Sequence, residues 1–89
     1  MTEKRYKFTG VVNPHKMVVA ESDKKGSVMR FIPHETVESF GLENLLEVGS
    51  KLTFEVIFQY DRPTYGFPIE GDAGTYQRLI NVKALTLLV

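Results

Sequence analysis

Aromatic and arginine side chains are interleaved at residues 60–67, at the end of the segment in which apolar and polar residues alternate most clearly. Tyr60, Tyr65 and Phe67 lie close to Arg62 in the sequence there, and Tyr76 and Arg78 follow beyond the loop. An aromatic ring offers a flat face on which an unpaired base can stack, and a guanidinium group neutralises a phosphate. This combination is typical of a surface that contacts single-stranded nucleic acid. The alternative for Tyr65 and Phe67 is that their rings pack into the hydrophobic core.

Basic residues are concentrated in the first third of the chain, although the formal net charge of the whole is zero. Residues 1–30 hold seven basic and three acidic side chains. Residues 31–61 hold one basic and six acidic side chains, and residues 62–89 hold three basic and two acidic side chains. Phosphate contacts depend on local positive charge. The alternative is that these side chains are ordinary solvated groups at strand edges. The candidates for phosphate contacts in the first third are Lys7, Lys16 and Arg30.

The chain carries no residue pattern of an enzyme or a metal site. It has no cysteine, and its two histidines, His15 and His34, lack the spacing of zinc ligands. Glu43 and Glu47 are too few acids for a site of oxygen ligands. There is no Gly-x-Ser-x-Gly elbow and no phosphate-binding glycine loop. We therefore expect a protein that is not an enzyme and that uses no metal or other cofactor.

Length and composition predict one folded domain that spans residues 1–89. Hydrophobic residues make up 43% of the chain and charged residues 25%, which is ordinary for a globular protein. No apolar run approaches the roughly 18 residues of a membrane-spanning helix. Because the chain has no cysteine and no apolar segment behind its basic first residues, we expect a cytoplasmic protein without a membrane partner.

Alternation of apolar and polar residues predicts an all-β fold. The element order is that of a small five-stranded OB-like barrel with a short helix between strands three and four. The helix is expected within residues 34–46, and a polar turn within residues 23–26. The predicted strands are residues 4–13, 16–22, 27–32, 51–60 and 75–88. The residues expected in the core are Leu52, Phe54, Val56 and Phe58, with Val11 or Val12 and with Ile80 or Val82.

Several short segments resemble the cold-shock domain, a family with the OB fold. Residues 30–37 (RFIPHETV) are similar to its second nucleic-acid motif, V-F-V-H-F-S-A-I, and residues 46–56 to its L-x-x-G-x-x-V-x-F-x-V segment. Residues 9–12 (TGVV) look like the family's opening strand, and residues 13–16 (NPHK) look like the turn that leads to its first motif. Residues 81–85 (NVKAL) look like its closing N-V-x-x-L. The resemblance implies an OB fold and a single-stranded nucleic-acid ligand.

The chain departs from this family at the positions where bases stack. The family's first motif, K-G-F-G-F-I, corresponds to residues 16–21 (KMVVAE), which contain no aromatic residue, and the chain has no tryptophan. Of the second motif, Phe31 and His34 keep a ring that could stack on a base. The resemblance therefore implies the fold more firmly than the ligand.

Two functions from different classes follow as hypotheses. In the first, a single strand of nucleic acid lies across strands one to three and is gripped by the loop at residues 60–67. In the second, the same fold is a protein-interaction module, because small barrels carry unrelated functions. Its contact surface would be the acidic stretch at residues 35–47 and the apolar loop at residues 65–69. A homodimer could use that loop or the apolar run at residues 85–89.

Overall fold

The computed structural model describes residues 4–20, 28–71 and 74–88. Helix α1 (His34–Ser39) and a 3₁₀ turn (Glu43–Leu45) separate the third strand from the fourth, and a second 3₁₀ turn (Gln59–Asp61) follows the fourth. The strands are β1 (Tyr6–Val12), β2 (Val18–Ala20), β3 (Met29–Ile32), β4 (Lys51–Phe58), β5 (Ile69–Gly71), β6 (Gly74–Arg78) and β7 (Val82–Leu88).

The seven strands of the described residues form one mixed sheet in the order β5-β6-β3-β2-β1-β4-β7. Neighbouring strands are antiparallel, except that β3 and β6 run parallel. The prediction of a mostly-β domain is confirmed. The predicted number of five strands is wrong, because the described residues form seven strands in one open sheet whose edges are β5 and β7.

The difference in strand number arises in the last third of the chain. The strand predicted at residues 75–88 is two strands. Strand β6 pairs with β3 and strand β7 pairs with β4, and the pairing changes from one to the other at residues 79–81. At the break the Leu79 N–H donates a hydrogen bond of 3.0 Å to the Phe31 carbonyl. The loop predicted at residues 61–74 contains the additional strand β5, which pairs with β6.

The α-helix lies where the sequence predicts it. Both α1 and the first 3₁₀ turn fall within residues 34–46, and Gly41, with a φ of 70°, reverses the chain between them. Strand β4 ends earlier than its periodicity predicts, since Tyr60 and Asp61 adopt left-handed conformations with φ of 62° and 58°. The predicted turn at residues 23–26 lies outside the described residues.

The core is built on one face of β4. Phe54 and Val56 are fully buried and Phe58 is nearly so, which confirms the predicted inward face of this strand, while Leu52 is partly buried at the margin of the core. Ile80, by contrast, is 56% exposed. The remaining core residues are Val12, Val18, Ile32, Val37, Leu46, Leu79 and Leu85, with Val82 partly buried against them.

Replacing Phe54 by alanine should cost about 3–5 kcal/mol of the free energy of unfolding, because the ring is fully buried at the centre of the core. Urea denaturation of the parent and of Phe54→Ala measures the loss. Leu45→Ala is the matched control, since Leu45 is 60% exposed and its truncation should change stability by no more than about 0.5 kcal/mol. Equal stability of the two variants would contradict this assignment of the core.

Candidate functional site

The outward face of β1, β2 and β3 carries a continuous row of apolar side chains. Val11 is in register with Val19, and Val19 is in register with Phe31. Successive side chains of a strand point to opposite faces. The row therefore lies on the reverse of the buried row that contains Val12 and Val18. At this point the sheet is apolar on both faces.

The β5–β6 hairpin stands beside the outward row and turns it into a cleft. Within the hairpin Ile69 is in register with Tyr76, and Tyr76 is in register with Met29 of β3. Ile69 and Tyr76 form one side of a cleft of about 430 Å³. The rest of the cleft is lined by Val11, Asn13, Met17, Val19 and Phe31.

The lining of this cleft is apolar, with neutral polar groups from Asn13 and Tyr76 and, among the described residues, no charged side chain. The Asn13 carboxamide oxygen accepts hydrogen bonds of 3.0 Å from the backbone N–H groups of His15 and Met17. These two hydrogen bonds stabilise the turn that places Met17 in the lining of the cleft. A cleft of this volume and polarity can accept a flat ring or an apolar side chain, whereas an unpaired charge would be costly there.

A second depression, of about 300 Å³, adjoins the cleft and shares Ile69 with it. Arg78 lines this depression and is in register with Phe31, so both side chains leave the sheet on its outward face. Phe67 lines it as well and is 93% exposed. We call the cleft and this depression together the outer track. Its lining includes one arginine, Arg78, and the aromatic rings of Phe67, which is exposed, Tyr76, which is half-buried, and Phe31, which is only 6% exposed at the floor.

Arg30 and Tyr65 lie on the opposite side of the sheet from Phe31. The guanidinium carbon of Arg30 is 4.5 Å from the centroid of the Tyr65 ring, which is a cation–π contact. Both residues line a small hollow with Tyr6 and Phe58, whose rings meet edge to face at a centroid distance of 5.3 Å. The structure thus brings Arg30 and Tyr65 together but separates them from Phe31.

Lys7 lines the same hollow as Arg30 and Tyr65, so the structure brings three residues of the predicted site together there, and Lys7 is in register with Glu55 on β4. Two further residues of the predicted site lie elsewhere. The Lys16 ammonium group donates a hydrogen bond to the Leu46 carbonyl. Tyr60 is 87% exposed in the turn after β4. The predicted residues therefore do not form one continuous surface.

Arg62 belongs to a loop whose conformation is fixed by Asn81. The Asn81 carboxamide nitrogen donates hydrogen bonds of 2.9 Å to the Gln59 carbonyl and 2.8 Å to the Arg62 carbonyl. Its carboxamide oxygen accepts a hydrogen bond of 2.8 Å from the Thr64 N–H. The similarity of residues 81–85 to N-V-x-x-L is the one feature of the sequence that draws attention to Asn81.

His34 lies between two glutamates. Its Nε2 is 3.2 Å from Glu43 Oε1, and its Nδ1 is 3.9 Å from Glu38 Oε2. The separations along the chain, four and nine residues, match no common ligand motif, and so the sequence gives no sign of this cluster. It is the folding of α1 against the following turn that brings the three side chains together.

The outer track includes residues outside the predicted site, among them Ile69, Tyr76 and Arg78. Tyr76 and Arg78 are separated by one residue in the last predicted strand, so they share a face. That alternation is the signal that could have identified them. Nothing in the sequence indicates that Ile69 pairs with Tyr76.

Comparison with protein-family models, with curated proteins and with solved structures finds no match to this chain. Within residues 4–20, 28–71 and 74–88, no helix has the length and apolar character needed to cross a membrane.

Gly10 should be intolerant of substitution, because a Cβ atom there would lie 2.5 Å from the Val19 carbonyl oxygen of the neighbouring strand. Gly10→Ala must push β1 away from β2, and we expect a loss of about 1–3 kcal/mol, which thermal unfolding measures. Gly66→Ala is the matched control, since its Cβ would make only an ordinary contact with Ile80 at 3.4 Å. An unchanged melting temperature for Gly10→Ala would disprove the close approach of the two strands.

Proposed function

We propose that this protein is a binding module for single-stranded nucleic acid and that the outer track is its binding surface. The observation that carries the proposal is the grouping of two accessible rings, those of Tyr76 and Phe67, with Arg78 along one side of the sheet, above the largely buried ring of Phe31. Stacking on rings and neutralisation of phosphates are the two interactions on which single-strand binding without sequence preference relies.

The pairing of the strands supports an OB-type fold as part of this proposal. An OB fold is a partly open barrel of five strands. If β6 and β7 are regarded as one interrupted strand and β5 as an addition to it, five strands remain, and the last of them pairs with both β3 and β4. The outward face of the first three strands is the place where the resemblance to the cold-shock domain implies a ligand.

The expected mode of binding follows from the chemistry of the track. A base enters the cleft against the ring of Tyr76, where the lining is apolar and the largely buried Phe31 forms part of the floor. A neighbouring base stacks on the exposed ring of Phe67, and the phosphate between them lies beside Arg78. Because Arg78 is the sole cation that lines the described track, binding should be modest in strength and should depend only weakly on salt.

Titration of a labelled single-stranded oligonucleotide at two salt concentrations tests the proposal. Tyr76→Ala and Phe67→Ala should each weaken binding by roughly 1–3 kcal/mol per lost stacking contact and leave the salt dependence unchanged. Arg78→Ala should weaken binding and reduce the slope of log K against log salt by about 0.7, the value for one phosphate of a single strand.

Arg30→Ala is the matched control, since Arg30 is an arginine of the adjacent strand that faces the other side of the sheet. If Arg30→Ala and Tyr65→Ala weaken binding and Tyr76→Ala does not, the ligand occupies the hollow at Tyr65 instead of the outer track. If the parent shows no binding at low salt near a protein concentration of about 100 μM, corresponding to roughly −5.5 kcal/mol, the proposed function is wrong.

The exposed apolar side chains of the outer track favour a second candidate function, self-association or another protein contact. Phe67, Ile69 and Ile80 are all exposed and line one depression. A contiguous apolar patch on a protein surface commonly marks a contact site. If two copies associate there, sedimentation over a concentration series should show weaker association for Phe67→Ser but not for Tyr60→Ser, whose ring is equally exposed but lies after β4. Identical sedimentation of parent and Phe67→Ser would exclude this patch as a dimer interface.

A further inference from the structure

Three side chains with metal-ligating atoms converge where α1 meets the 3₁₀ turn that follows it. One imidazole nitrogen of His34 and one carboxylate oxygen each from Glu38 and Glu43 all lie within 4.8 Å of one another. The three side chains are partly exposed, with side-chain accessibilities of 36%, 62% and 43% in that order. They are therefore free to adjust by rotation about their side-chain bonds.

The backbone holds the three residues in place from both sides of a chain reversal. Glu38 follows His34 by one helical turn, so the two lie on the same face of α1. The chain then reverses at Gly41, whose φ of 70° favours glycine. The Leu42 N–H donates to the Val37 carbonyl at 3.1 Å, which ties the reversal to the helix. Glu43, the next residue, is thereby returned to the His34 ring.

The segment of the chain that carries this cluster is acidic. Residues 33–50 contain four glutamates and no lysine or arginine. Near neutral pH the His34 ring faces two carboxylates, and the oxygens of Glu38 and Glu43 repel each other. A divalent cation would offset that repulsion, and an imidazole nitrogen beside carboxylate oxygens is a ligand set that suits zinc and its neighbours in the first transition row.

We propose that His34, Glu38 and Glu43 together bind one divalent transition-metal ion such as Zn²⁺. Ligand distances of about 2.0–2.2 Å require the three atoms to draw together from their present separations, and their exposure permits this. The bound ion would link α1 to the following 3₁₀ turn. This site is independent of the outer track and of the function proposed for it.

Isothermal titration of the metal-free protein with Zn²⁺ tests the proposal directly. We expect one ion per chain. His34→Gln and Glu43→Gln should each weaken binding by about tenfold or more, the scale on which even the loss of an outer partner of a metal ligand acts. Co²⁺ gives a second measurement, since its visible absorption reports coordination by the protein and should be lost in the same two variants.

The chain offers a matched control for each kind of ligand. His15→Gln removes the other histidine, which lies in the turn before β2, and Glu35→Gln removes an acid of α1 outside the cluster. Neither should change the affinity for Zn²⁺. Zn²⁺ should also raise the melting temperature of the parent and of both controls, but not that of His34→Gln.

The possible outcomes separate cleanly. Saturable binding that both His34→Gln and Glu43→Gln abolish or weaken, and that both controls keep, supports the site. The proposal is overturned if no saturable binding occurs, if His34→Gln binds as the parent does, or if His15→Gln weakens binding to the same extent. Circular dichroism of each variant establishes that a loss of binding is not a loss of folding.

Discussion

The structure depends on one constraint: β1, β2 and β3 are apolar on both faces. Val12, Val18 and Ile32 are buried on the inner face, and the side chains next to them in sequence form an equally apolar outward row. A strand that is apolar on both sides must be covered on both sides, or it exposes surface that water disfavours. The residues of the inner face belong to one core cluster with Phe54 of β4 and Val37 of α1. The β5–β6 hairpin covers the outer face only in part, and the uncovered remainder is the cleft.

The parts of the fold that the sequence predicts are those in which side chains alternate strictly between core and solvent. Strand β4 alternates between partly exposed and buried residues from Thr53 to Phe58, with Ile57 the one apolar residue on the outward face, and its inward face is the predicted one. The break between β6 and β7 is different, because Leu79 and Ile80 are both apolar although Leu79 is buried and Ile80 is exposed. Strand β5 is short and exposed throughout. Its pairing with β6 leaves no hydrophobic pattern in the sequence.

The candidate site is less predictable than the fold, because neighbours in sequence are separated by the sheet. The residue types of Arg30 and Phe31 suggest one nucleic-acid site for both, but their side chains lie on opposite faces of β3. The loop after β4 adds a second difficulty. Its path depends on two left-handed residues, Tyr60 and Asp61, a conformation that costs free energy outside glycine. Asn81 offsets that cost through three hydrogen bonds from a distant part of the chain, and no local pattern reveals such a partner.

Three of the basic side chains in the first third of the chain make contacts within the fold. The Arg5 guanidinium group is paired with Glu55 at 3.0 Å, Arg30 is stacked on Tyr65, and the Lys16 ammonium group is bound to a backbone carbonyl. Glu55 offsets the charge of Arg5, whereas Arg30 and Lys16 keep their charge, and none of the three lines the outer track. Arg78 is the one cation among the described residues that line the outer track. If the track binds a single strand as proposed, its rings and apolar side chains must supply most of the affinity. The strand would then be recognised by its bases more than by its phosphates, which favours unpaired bases over a duplex, whose bases are stacked within the helix.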